Sequence, residues 1–169
     1  MTSNPAAISP SQEKKRIYLE TLGCAKNRVD SEIMLASLQT HGYELTMEPE
    51  TAEVIIVNTC AFLTEASEES INRILDLSDY KSNGNCEKLV ATGCLTQRYQ
   101  DSLAKQIPEL DGLLGSNGFE QIPELVHSMY EGSGISKLNL QHKPHYKQFE
   151  EQARVQTTPQ HYAYLKVAE

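Results

Sequence analysis

The chain has 169 residues, 39% of them hydrophobic, and a formal net charge of −8. That is room for one domain of ordinary size with some loop or tail around it. No apolar run is long enough to span a bilayer, and so acidic a chain repels a phosphate backbone, which sets aside membranes and direct nucleic-acid binding. A basic protein fits this charge better, although the charge also serves plain solubility.

The first 15 residues lack an apolar stretch behind a basic start and read as a flexible leader, not a signal peptide; a cytoplasmic location is expected. Residues 16–22 alternate around Ile17, Leu19 and Leu22 as a strand does. Residues 27–40 then carry Val29, Ile33, Met34, Ala36 and Leu38 at helical spacing, with Asn27 as the expected cap, Asp30 and Glu32 near its positive end, and Gly42 as the stop. Tyr43–Met47 is a short candidate strand. Residues 53–58 contain the unbroken run Val54-Ile55-Ile56-Val57, the pattern of a parallel strand covered on both faces.

A helix is expected from Thr64, its cap, to Ser78, burying Ile71, Ile74 and Leu75. Residues 81–88 are polar and read as a loop that leaves Cys86 at the surface. Residues 88–92 predict a fourth strand, and Leu95, Tyr99 and Leu103 a helix ended by Pro108. Residues 111–114 predict a fifth strand, and residues 119–130 a last helix with Pro123 in its first turns. This order predicts an α/β fold, a flavodoxin-like open, mainly parallel five-stranded sheet with helices on both faces and 2-1-3-4-5 as the default strand order. Residues 132–160 read as a linker, and residues 161–169 begin a new strand-like alternation at Tyr162, Tyr164, Leu165 and Val167.

Three of the four cysteines share one kind of position. Leu22-Gly23-Cys24, Asn58-Thr59-Cys60 and Thr92-Gly93-Cys94 each follow a predicted strand and precede a helix. In an open parallel sheet all carboxyl ends lie on one edge, so thiols far apart in sequence converge there. Three thiolates suit an iron–sulfur cluster better than structural zinc, which takes four ligands; a 4Fe-4S cluster can leave one iron without a protein thiolate. Gly23 and Gly93 let backbone pass close to a bulky group, and Asn27, Asn58 and Thr59 are polar candidates to surround it. A lone cysteine is more often a small core hydrophobe; the repetition at equivalent strand ends argues for metal. The five histidines (His41, His127, His142, His145 and His161) have no metal-binding spacing and read as surface residues.

The segments TLGCAKNRVDSE, VIIVNTCAFLTEASEES and LVATGCLTQRY resemble, in that order, the N-terminal domain of the methylthiotransferases, a branch of the radical S-adenosylmethionine enzymes. The resemblance runs from about residue 16 to residue 130. Ala25-Lys26-Asn27 and HYAYLKVAE are more similar to the branch that modifies an aspartate of a small-subunit ribosomal protein than to the transfer-RNA branch. The resemblance implies that Cys24, Cys60 and Cys94 hold an auxiliary 4Fe-4S cluster whose open iron supplies or relays sulfur. It further implies a second 4Fe-4S cluster on a CxxxCxxC motif, S-adenosylmethionine as radical source and methyl donor, and a final β-domain that helps recognise substrate. The implied partners are a basic ribosomal protein and the chain's own radical domain, and a monomer is expected.

This sequence departs from the family by having no CxxxCxxC motif. The expected organisation is a leader at 1–15, the iron–sulfur domain at 16–131, a linker at 132–160 and the start of a truncated radical domain at 161–169, a fragment inactive by itself. A transfer-RNA methylthiotransferase domain, a flavodoxin-like cofactor module without sulfur chemistry, and a structural domain with three buried cysteines are the alternatives.

Overall fold

Six parallel strands, in the order β2-β1-β3-β4-β5-β6, form the sheet of the computed structural model, which describes residues 14–132, 134–138 and 153–166. The strands are β1 (Arg16–Thr21), β2 (Glu44–Leu45), β3 (Val54–Thr59), β4 (Lys88–Gly93), β5 (Gly112–Gly115) and β6 (Ser136–Leu138). Helices α1 (Ala25–Thr40), α2 (Thr64–Ser78), α3 (Tyr80–Asn83), α4 (Cys94–Gln106) and α5 (Ile122–Glu131) connect or flank them. Among the described residues no helix is long and apolar enough to cross a membrane.

The apolar run of β3 explains the two-layered packing. Alternate side chains of a strand point to opposite faces. Val54 and Ile56 join Ile17, Met34, Leu38, Val90, Leu125 and Val126 under α1 and α5. Ile55 and Val57 join Ile74, Leu77, Leu89, Ala91, Leu95 and Leu103 under α2 and α4. Burying each such leucine, isoleucine or valine is worth about 1.5–3 kcal/mol.

The predicted fold class stands, with one strand more than the five expected. The sixth, β6, comes from the span read as linker, where Ser136, Lys137 and Leu138 pair with Gly112, Leu113 and Leu114. Three residues at a sheet edge need no apolar alternation, so the pattern that reveals buried strands has nothing to reveal there. Other differences have equally local causes. Helix α1 starts at Ala25, and Asn27 lies buried inside it instead of capping it. Leu63, not Thr64, occupies the cap position of α2. Leu75 of α2 is exposed and Leu77 takes its place in the core, further round the helix. The polar run after α2 contains the short helix α3, and Cys86 is buried at 6% exposure, packed with Leu89 and Ile107. Residues 161–166 form no strand. Residues 1–13 of the expected leader, together with His142, His145 and Val167, lie outside the described residues.

Candidate functional site: a three-thiol rim

Strand order reverses at β1. Chain from β1 goes outward to β2, then returns past β1 to β3, so the carboxyl ends of β1 and β3 border the switch point where open α/β sheets bind ligands. Register makes the rim level: Thr21 lies opposite Asn58, and Thr59 opposite Gly93. Cys24, Cys60 and Cys94 therefore leave three neighbouring strands from the same edge. The Cys94 thiol is pushed up from its ordinary value by burial; Lys26 pulls it down, while Cys60, Cys24 and Asp30 push it up. Cys24 and Cys60 thus both lie within electrostatic reach of the Cys94 thiol. Cys24 is exposed, Cys94 partly buried and Cys60 buried, and none forms a disulfide.

Two glycines make this convergence possible. Gly23 has φ +85, and a Cβ there would stand 2.5 Å from Cys60 Cβ and 2.8 Å from Cys60 Sγ. Gly93 has φ +95, and its Cβ would stand 2.5 Å from both Asn58 Oδ1 and the Thr59 carbonyl. Any side chain would wedge the loops apart.

The polar residues at the rim brace it from below. Asn27 Nδ2 donates to the Leu22 carbonyl at 2.9 Å and to the Thr59 carbonyl at 3.0 Å, tying the loops before Cys24 and Cys60 together. Asn58 Nδ2 donates to the Asn27 carbonyl and to Ser31 Oγ, both at 2.9 Å. Thr59 Oγ1 donates to the Thr92 carbonyl at 2.5 Å, joining β3 to β4. These three side chains are buried and engaged within the protein.

Cys24 precedes α1 directly and Cys94 opens α4, whereas Cys60 is separated from α2 by Ala61, Phe62 and Leu63. Its backbone is held by Ser70 of α2: Cys60 N donates to Ser70 Oγ at 3.1 Å, and Ser70 Oγ donates to the Cys60 carbonyl at 3.0 Å. Arg98 Nη1 secures the next carbonyl, Ala61, at 2.9 Å. Sequence reasoning missed Ser31, Ser70 and Arg98. A signal existed for Ser70, which falls on the Ser67, Ser70, Ile74, Leu77 stripe of α2 that faces the core. Thr96 Oγ1, two residues after Cys94, is buried without a hydrogen-bond partner among the described residues.

Among the described residues no group of three or more His, Cys, Asp and Glu closes around a single metal ion. A mononuclear site needs ligands within bonding distance of one centre, whereas a four-iron cluster takes its thiolates at separate corners. Three cysteine sulfurs leaving neighbouring strand ends, with backbone cleared by glycine at two of them, have the donor chemistry that larger group takes.

A family model, described as "Uncharacterized protein family UPF0004", matches residues 16–115, from the start of β1 to the end of β5. The chain belongs to this family. The UPF0004 match includes all three rim cysteines. This UPF0004 chain is also similar to proteins named ribosomal protein uS12 methylthiotransferase RimO. That of Trichlorobacter lovleyi is 46% identical over 156 residues, covering 92% of the chain and 34% of the relative. Those of Anaeromyxobacter sp. and Desulfitobacterium hafniense are 44% and 46% identical over 154 and 155 residues, covering 91% and 92% of the chain and 32% and 34% of the relatives. The resemblance to the N-terminal domain of the methylthiotransferases is thereby upheld. The UPF0004 chain spans about a third of the length of the curated relatives it matches.

Proposed function

We propose that this chain is the auxiliary iron–sulfur domain of a radical S-adenosylmethionine methylthiotransferase that modifies an aspartate of a basic small-subunit ribosomal protein. The observation that carries the reading is the level register of β1, β3 and β4, which delivers Cys24, Cys60 and Cys94 to one rim. Those cysteines would hold a 4Fe-4S cluster, which when bound supplies an iron without a protein thiolate, able to carry a sulfur species.

The chain's own residues prepare that place. Gly23 and Gly93 keep the rim clear, and Asn27, Asn58 and Thr59 fix the spacing of the loops. Ser70 and Arg98 hold the backbone at Cys60 and Ala61, which fixes where this thiol starts from. Lys26 supplies the positive charge that favours the thiolate of Cys94 against the effect of burial. The exposed side of Cys24 leaves an approach from solvent or from another domain. The uS12 named by the relatives is the proposed substrate of the complete enzyme, and radical generation belongs to parts beyond this domain.

Anaerobic reconstitution with ferrous iron and sulfide tests the reading. The expected product is brown and carries about four irons per chain, and Cys60→Ala reduces that content to background with the fold retained. A colourless wild-type product with no bound iron overturns it.

A further inference from the structure

Residues 153–166 contain no helix or strand, yet they are strongly tied to α1. Glu32, only 1% exposed, is their main anchor. Its carboxylate accepts from Arg154 Nε at 3.1 Å and from Arg154 Nη2, and from the backbone N and Oγ1 of Thr157 at 2.8 and 2.9 Å. Val155 N donates to the Glu32 carbonyl at 3.0 Å. A second anchor lies at the other end. Lys166 Nζ donates to Asp30 Oδ1 at 3.0 Å with both side chains 6% exposed, and it stands 5.0 Å over the Phe119 ring. The segment braces itself between these points, with Arg154 Nη1 on the Tyr164 carbonyl and Gln156 Nε2 on the Tyr162 carbonyl.

Its second anchor is close to the thiols. Asp30 is six residues after Cys24, about 9 Å along the axis of α1. Buried ion pairs give little net stability, because desolvation offsets the attraction; their use is to specify one arrangement. Two on acids two positions apart in one helix specify where this segment runs.

We propose that Glu32 and Asp30 are positioning residues, which hold residues 153–166 as a strap so that chain continuing past Lys166 sets out from the thiol rim. This rests on the function proposed above. Sulfur carried at the rim must meet a carbon activated elsewhere, and a junction free to wander lowers the effective concentration of one reacting group at the other. The relatives, about three times as long, have the further chain that such a strap would orient.

Hydrogen exchange of the 153–166 peptide tests the strap on its own side, leaving the sheet untouched. In the wild-type chain this peptide is protected. In the Arg154→Ala, Lys166→Ala double variant it exchanges about tenfold faster or more, with β3 and β4 peptides unchanged; Glu32→Gln gives the same release. At the relatives' full length, the double variant keeps its iron but transfers methylthio groups about tenfold more slowly. Free-peptide exchange rates in the wild type, or full transfer by a variant whose strap is released, overturn the proposal. Failure of the wild type to take up iron counts against the iron–sulfur reading instead and leaves the exchange result readable.

Discussion

Gly93 and Gly42 both have positive φ, +95 and +89, but different surroundings. A Cβ at Gly42 meets nothing within 4 Å, whereas one at Gly93 meets Asn58 Oδ1 and Thr59 backbone. Gly42→Ala is expected to cost only the left-handed backbone strain, about 1 kcal/mol. Gly93→Ala adds a clash and is expected to cost about 3 kcal/mol, read as a larger drop in urea midpoint. Cys86 makes a second prediction at this scale. Burial pushes its thiol from an ordinary 9.0 to about 11. The folded protein therefore holds this proton more tightly than the unfolded chain does. The contribution to stability is complete below pH 9 and is lost as pH rises through about 11. Urea midpoints should fall across that window more steeply in the wild type than in Cys86→Ala.

Helix α1 shows most clearly what could be read from sequence at the scale of an element. Its core stripe, Val29, Met34, Ala36 and Leu38, is buried as the 3.6-residue period predicts. The same reasoning places Asn27 at the cap, because asparagine before an apolar run is the usual cap signal. Here the amide is more useful inside, where it bonds two carbonyls of different loops, a tertiary demand that no local pattern carries. The sequence pattern also makes Asp30 and Glu32 dipole partners, yet they pair with Lys166 and Arg154, more than a hundred positions away, and Asp30 also with Lys26 of its own helix. Burial would raise the Glu32 carboxyl, but Arg154 and Thr157 outweigh it and hold it low. The Asn58–α1 contact gives a test: Asn58→Ala removes two buried hydrogen bonds to α1, while Ser31 Oγ keeps its bond from Thr21 Oγ1, and is expected to cost about 1–2 kcal/mol in chemical denaturation. A midpoint equal to wild type would mean that the brace contributes little.

For the whole molecule, the strongest sequence signals were those imposed by the sheet. Four hydrophobic residues in a row at β3 and three cysteines after three strands both follow from parallel strands ending at one edge. The sixth strand and the buried position of Cys86 were not legible, since one has no apolar pattern and the other shares a core cluster with residues as distant as Ala52, Ile55 and Ile107. The strap and its bearing on the rim required the folded chain, because Glu32 and Thr157 share no local signal at all.

The three thiols are unequally covered: Cys24 faces solvent, Cys94 is half hidden and Cys60 is closed in by Gly23 and by Ser70's helix. A small oxidant or alkylating reagent diffusing in from water thus meets Cys24 first. Damage to the trio is expected to begin at Cys24, and a protein surface laid over Cys24 removes the most open route to it.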